Sequence, residues 1–491
     1  MYKKSQLRFI FSLILILLTS TILIYSFAGG DGSSGSPYRI ANCSHLQNMS
    51  ANLSANYQLN NSIDCSMTNS WNSGLGFKPV GNNSNRFTGN LYGNNYSISN
   101  LFINRSTTDY VGLFGYAHNT NSERVQDLNL INFRIIGKDY IGALMGMKHY
   151  YTIENIYVTS NVSGNDRVGG LIGYNYWGNI ENAYATYVNV TGTNRVGGLV
   201  GEIQLASVNN SNSSGIVSGG YLVGGFTGGF GTGTISNSSS NALVIGTTNV
   251  GGFAGYIGGV DNCYATGDVY GVTNVGGFAG EAGWTSTIYS LGNVNGTSRV
   301  GGLIGYATWT NVENSYANGN VNGIKNVGGL VGSSFFNNGI IKDSYSTSNV
   351  SGVLVVGGLV GNNSLGTEIN YSFSTGFVNG STSVGGLLGL NTGTITSSYW
   401  DNETSGQTTS DGGFGRSTLE MYNQLTFVNW SSSIWTFTNT SYPELTWVYI
   451  PPQIINSTST SISGILPFQA YSSVFISSLL IFLSFLILNR K

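Results

Sequence analysis

The chain has 491 residues, only 8% of them charged, with Lys+Arg 19 against Asp+Glu 21 and a net charge of −2. No basic stripe is present, so the electrostatic footprint of a nucleic-acid binder is missing and no nucleic-acid partner is expected. An apolar fraction of 41% excludes general disorder, and a mean hydropathy of +0.04 attributes the low charge to Asn, Ser and Thr rather than to residence in lipid.

From the N-terminus, Lys3, Lys4 and Arg8 precede an uncharged run from Phe9 to Phe27. Ser26-Phe27-Ala28 ahead of Gly29 has the small-residue spacing of a signal-peptidase site, while the length of the run also suits an uncleaved anchor. Residues 1–28 are therefore read as a signal peptide or N-terminal anchor. In the exported compartment this implies, Cys43 and Cys65 are expected to form a disulfide worth about 3 kcal/mol, two buried thiols being the alternative. Residues 38–110 lack the repeat that follows and are expected to form an N-terminal cap entering the first coils.

Between Val111 and Gly389 a six-residue phrase returns, Val-Gly-Gly-(Leu/Phe)-(small apolar)-Gly. Clear copies start at Val168, Val196, Val223, Val250, Val275, Val300, Val327, Val356 and Val384, with degenerate ones at Val111 and Ile141. Starts about 27 residues apart mark a solenoid whose units must stack to share a core. Short apolar runs broken by Gly and Asn read as strands and turns, roughly three to a coil. Residues 111–400 are thus predicted to be a parallel β-helix of about eleven coils, with a perimeter near 90 Å and a length of about 50 Å. Tyr157, Tyr184, Tyr264, Tyr289, Tyr316, Tyr345, Phe373 and Tyr399 share one offset and predict an aromatic ladder. Val162, Val217, Val244, Val269, Val294, Val321, Val350 and Val378 predict an aliphatic column. Asn155, Asn182, Asn210, Asn237, Asn262 and Asn314 predict an amide ladder at a bend. Cys263 replaces a small residue in one copy and reads as a core thiol. Which face of the glycine-rich hexapeptide points inward stays open at this level.

From Trp400 the period ends, and residues 401–448, with Trp430, Trp435, Tyr442 and Trp447, are expected to cap the last coil. Residues 449–469, beginning near Pro451-Pro452, form a Ser/Thr-rich stalk. Residues 470–488 are uncharged, long enough to span a bilayer and followed by Arg490 and Lys491, which puts the repeats outside and the tail inside. The membrane is thus one expected partner, reached through this C-terminal helix, and the cell surface the expected location. About twenty Asn-x-Ser/Thr sequons, such as Asn95, Asn161, Asn295 and Asn402, are glycan acceptors if the host modifies them, though a chain rich in Asn and Ser makes sequons by chance.

Val-Gly-Gly-Leu-Val-Gly followed by Asn-Ser-Tyr-Ala-x-Gly-Asn-Val resembles the GLUG repeat of prokaryotic surface proteins. Gly76-Phe-Lys-Pro-Val-Gly81 and Phe87-Thr-Gly-Asn-Leu-Tyr-Gly-Asn before the repeats, and Ser398-Tyr-Trp-Asp-Asn-Glu-Thr-Ser-Gly406 after them, resemble its usual flanks. The resemblance covers roughly Tyr38 to Trp447. It implies a surface or secreted protein often linked with adhesion, and a right-handed β-helix. It implies no activity.

Four residues after the last Gly of the hexapeptide stand Tyr150, Trp177, Trp284, Trp309 and Phe336, with Leu205 and Leu365 at the same offset. Trp177, Trp284, Trp309 and Phe336 are the expected ligand-binding residues, an aromatic strip that stacks on sugar rings; packing over a corner is the plainer alternative. Glu154 and Glu181 share an offset on adjacent coils, near the carboxyl spacing of a retaining glycosidase, although stacking imposes that distance on any such pair. No metal-type Cys pair or His-Glu-x-x-His stretch occurs, so no metal and no cofactor is expected. The expectation is a non-enzymatic, membrane-anchored surface protein that binds extracellular glycans or other surface proteins, or serves the envelope structurally. A polysaccharide lyase or glycosidase is the alternative.

Overall fold

Equivalent residues of successive repeats pair as parallel strands, so each coil hydrogen-bonds to the ones before and after it. The computed structural model describes residues 27–119, 123–308, 311–335, 339–364 and 366–447. The expected stalk, the span at 470–488, nearly all of the leader, Trp309 and Phe336 lie outside the described residues. Among the described residues no helix is long and apolar enough to cross a membrane.

The first half of each hexapeptide forms one rung of a ten-stranded parallel sheet running from Asp139–Ile141 to Thr382–Gly385. The earliest copy joins it by a single parallel bridge, Val111↔Ile141, rather than by a full strand. The remaining sides of the coils belong to one continuous 35-stranded sheet. Stacking begins ahead of the hexapeptides, because Tyr38–Ile40 pairs in parallel with Asn56–Leu59, which pairs with Asn90–Tyr92. Below that first rung the helix Cys43–Asn48, N-capped by the Asn42 side chain, sends Leu46 into the core. Cys43 and Cys65 are joined by a disulfide with Cα atoms 5.6 Å apart.

Glycines decide how the hexapeptide faces. A Cβ on Gly251 would stand 2.1 Å from the Ala254 carbonyl oxygen of its own coil, and one on Gly252 would stand 2.1 Å from the Gly277 oxygen of the next. On Gly255 it would meet the Leu222 carbonyl carbon at 2.5 Å. The backbone is therefore folded against itself and its neighbours where a side chain would intrude. Val250, just before these glycines, and Phe253, among them, are completely buried. Phe226, Phe253 and Phe278 stack inside the coil at 4.6 and 4.8 Å.

Just before the hexapeptide the chain turns through the left-handed region in every coil, from Tyr110 (φ 59°) to Ser383 (φ 51°), including Arg167, Leu222 and Val355. Each non-Gly residue there costs roughly 1–2 kcal/mol. The regular stack over-determines the conformation, since a residue leaving it would break the register of both neighbours. A second left-handed corner carries the amide ladder in part: Asn182 Nδ2 donates to Asn155 Oδ1 at 2.9 Å, and Asn210 to Asn182 and Asn262 to Asn237 each at 2.5 Å. Asn237, however, donates to Asn209 rather than to Asn210, and Thr287 separates Asn262 from Asn314. Asn suits the site because its short amide tolerates this backbone and reaches the next rung.

Beside that corner runs a buried serine column that the sequence reading passed over. Ser315, Ser344, Ser372 and Ser398 each donate to the carbonyl two residues back and accept an N–H from the coil before. Cys263 occupies the same column between Ser238 and Ile288, with Sγ 3.4 Å from the Asp261 oxygen, so the thiol stands in a serine's place. Burial pushes that thiol's pKa up.

The aliphatic column is unbroken from Val162 to Val378, with Val190 filling the rung between Val162 and Val217. The aromatic column keeps register but is interrupted where Asn212 and Ser239 take its place. From Tyr264 to Phe373 the rings stack at 4.8 to 5.0 Å and within 5° of parallel. Past the last repeat, Tyr399–Asp401 pairs with Phe414–Arg416, and Thr409 and Ser410 bond the final hexapeptide at Gly386 and Leu387. Residues 430–447 lie along the flank of the rod rather than across its end. Trp447 packs on Tyr316, Trp435 on Tyr345 and Phe373, and Trp430 on Tyr399. Trp435 Nε1 donates to Asp343 Oδ1 at 3.1 Å, and Tyr442 OH to Asp401 Oδ2 at 2.7 Å.

Gly252→Ala is expected to lower stability in urea by about 2–3 kcal/mol, because the new methyl meets backbone that cannot yield. Gly259→Ala, whose methyl would first touch Trp284 at 3.6 Å, should stay within about 0.5 kcal/mol of the parent.

Candidate functional site

Tyr150 and Trp177 lie at the corner following the hexapeptide, both in the left-handed region, which turns their side chains outward. Their rings stack at 5.5 Å, and Trp177 is 38% exposed. Trp284 is 46% exposed and in register with Gly259. Leu205, Thr232 and Gly259 fill the rungs between Trp177 and Trp284, so the two tryptophans stand about 19 Å apart at the usual rung spacing. Tyr150 and Trp177 thus form one aromatic pair, and Trp284 stands alone among the described residues at this offset.

One residue upstream, a second column completes a platform. His118 pairs in register with His149, and His149 with Tyr176. The His118 and His149 rings stack at 4.4 Å, and His149 stacks on Tyr150 at 4.3 Å. Arg86 Nη1 lies 3.2 Å from His118 Nδ1. A guanidinium can only donate, so this nitrogen of His118 is the acceptor and its ring is neutral. Burial first, then the Arg86 guanidinium, lowers His149 from its ordinary 6.5 to about 4. Equivalent offsets three residues after Gly115, Gly146 and Gly173 were the available signal for this column.

Further along the same face sits an ion network that single-residue reading did not assemble. Arg167 contacts both Asp166 and Glu202, and Arg195 reaches Asp166 at 2.7 Å and Glu202 at 3.5 Å. Arg167 also lies over the Tyr140 and Tyr174 rings at 4.9 and 5.2 Å. Two cations and two anions cancel, so the patch is polar without being charged.

Inside the wall behind the platform, Lys148 and Asn175 occupy adjacent rungs and are completely buried. Lys148 Nζ donates to Asn175 Oδ1 at 2.7 Å and to the Trp177 carbonyl at 3.2 Å. Desolvation holds the amine well below its ordinary range.

Glu154 and Glu181 pair directly in register, and Asp261 and Glu313 share their column with Ser286 between them. The nearest cation to Glu154 is Arg124 at 3.8 Å, in an exposed pair. Among the described residues no group of three or more His, Cys, Asp or Glu is placed to hold a metal ion.

Because the folded state holds His149 neutral, its contribution to stability is complete above pH 6.5 and is lost as pH falls towards about 4. Denaturation midpoints between pH 7.5 and 3.5 should decline in that window, and His149→Gln should flatten the decline.

Comparison with known proteins identifies the repeat. The GLUG motif matches residues 164–191, 246–270 and 296–322. Halomucin of Haloquadratum walsbyi is 37% identical over 155 residues, 30% of this chain and 2% of that protein. A protein of Evansella cellulosilytica, provisionally named a Gly-rich membrane protein, is 36% identical over 134 residues, 27% of this chain and 15% of that protein. The chain therefore spans a small fraction of either relative. A crystal structure from Bacteroides ovatus, provisionally named an immunoglobulin A1 protease, aligns over 86% of this chain and 96% of that one. Its sequence is 19% identical and its TM-score is 0.24, too low to carry an argument. Three stretches of this solenoid therefore match the GLUG motif.

Proposed function

We propose that the protein is a non-enzymatic cell-surface rod, exported and held at the membrane by the helix expected at 470–488, that binds extracellular glycans. The coils are read as winding right-handed, as parallel crossovers overwhelmingly do. What supports surface residence is the kinship of the repeat with halomucin and with a protein named for the membrane, together with a disulfide-linked N-terminal segment.

The observation that carries ligand binding is the platform of His149, Tyr150, Tyr176 and Trp177, with rings in mutual contact and with Tyr150 and Trp177 exposed. Flat aromatic faces suit the apolar faces of sugar rings, and the neutral ion network beside them suits an uncharged polar chain. Trp284, about four rungs along, would extend the contact to a longer polysaccharide, with Trp309 and Phe336 following it in the repeat. Catalysis is the weaker reading, because the carboxylate pair Glu154 and Glu181 converges with no third reactive group among the described residues.

On a glycan array the protein should retain one class of neutral polysaccharide, and Trp177→Ala combined with Trp284→Ala should weaken that signal at least about tenfold, as loss of stacking aromatics does. Binding that the double variant leaves unchanged sinks the aromatic-strip reading, and no binding to any glycan favours a passive structural rod.

A further inference from the structure

We propose that Lys148 and Asn175 become joined by an amide bond between their side chains, a covalent staple between two adjacent coils. The two residues face each other on neighbouring rungs, both completely buried, with Nζ 2.7 Å from Oδ1 and so beside the carboxamide carbon Cγ. Their column is otherwise apolar through the neighbouring coils, with Ala117 before them and Ile203, Phe230 and Ile257 after. A lysine and an asparagine on consecutive rungs are therefore a polar pair set between apolar rungs; the column turns polar again only at Ser334, Asn363 and Asn391.

Three details fit the reaction better than a resting hydrogen bond. Asn175 Nδ2 is buried with no partner, which a stable interior amide avoids and a leaving group does not need. Among the described residues Lys148 has no counter-ion: its hydrogen bonds go to two neutral carbonyl oxygens, and desolvation holds the amine well below its ordinary range, which favours the uncharged, nucleophilic form. Gly178, at φ +83°, leaves the corner beside Nζ bare: a Cβ there would meet the Tyr151 carbonyl oxygen at 2.3 Å and Nζ at 3.1 Å.

The step balances without any further reactant. The Nζ lone pair attacks Cγ of Asn175, the Nζ–Cγ bond forms, one proton passes from Nζ to Nδ2, the Cγ–Nδ2 bond breaks, and ammonia leaves. The product is a secondary amide whose oxygen is the former Oδ1. Holding both groups in the packed wall supplies the proximity that the same reaction in water lacks. The inference does not depend on glycan binding.

The test is peptide mapping by mass spectrometry of the full-length wild-type protein, digested under denaturing conditions. The expected result is a branched peptide joining the Lys148 and Asn175 segments, lighter than their sum by one ammonia, in most molecules. Asn175→Asp should give the same branch with loss of water instead, and Lys148→Arg should abolish it. Wild-type digests in which linear peptides with free Lys148 predominate, whether Asn175 is intact or deamidated, overturn the proposal even if neither variant folds.

Discussion

Everything in this rod depends on one constraint, that each residue must lie against its counterpart one coil away closely enough for their backbones to bond. The hexapeptide is the part of the repeat that meets it most tightly. Its three glycines stand where the chain passes within contact of its own turn, the next coil and the previous one, leaving the Val and Leu/Phe side chains to fill the interior. Removing a methyl is what lets the rungs close, and closed rungs turn a weak 27-residue unit into a shared core.

Once spacing is fixed, side-chain choice becomes a set of vertical problems, one per column. Apolar columns are solved by shape, as in the continuous valines and stacked phenylalanines. Polar columns are solved by chemistry that repeats without an end: an amide donates to the rung before and accepts from the rung after, and a serine serves its own corner and its neighbour's N–H. Cys263 shows how loosely identity is set once the geometry is satisfied, since a weak thiol donor occupies a hydroxyl's place.

The solenoid, its parallel register and its main columns were legible because the repeat itself is the structure: equal offsets predicted Tyr289 over Tyr264 and Val294 over Val269, and both are found. The inward face of the hexapeptide was not legible, since alternation is silent when glycine sits on both sides and only backbone proximity separates the options. The left-handed corner at Arg167, Leu222 and Val355 was hidden too, because those residue types ordinarily avoid it and only the stack compels them. The joining of His149 and Tyr176 to Tyr150 and Trp177, and the Asp166–Arg167–Arg195–Glu202 network, escaped because they combine neighbouring offsets, whereas a column takes one offset at a time. Residues 430–447 were read as an end cap from their aromatic density alone. Density indicates burial, and it does not say whether the surface buried is an end or a side.

That side-on placement changes how load would enter the body. Trp447 rests on Tyr316, with Tyr345, Phe373 and Tyr399 on successive later rungs under the same tryptophan-rich strip. A pull transmitted through residue 447 would therefore be taken up in shear, spread over several aromatic contacts that must yield together. A chain leaving directly from the terminal coil would instead be peeled away one rung at a time.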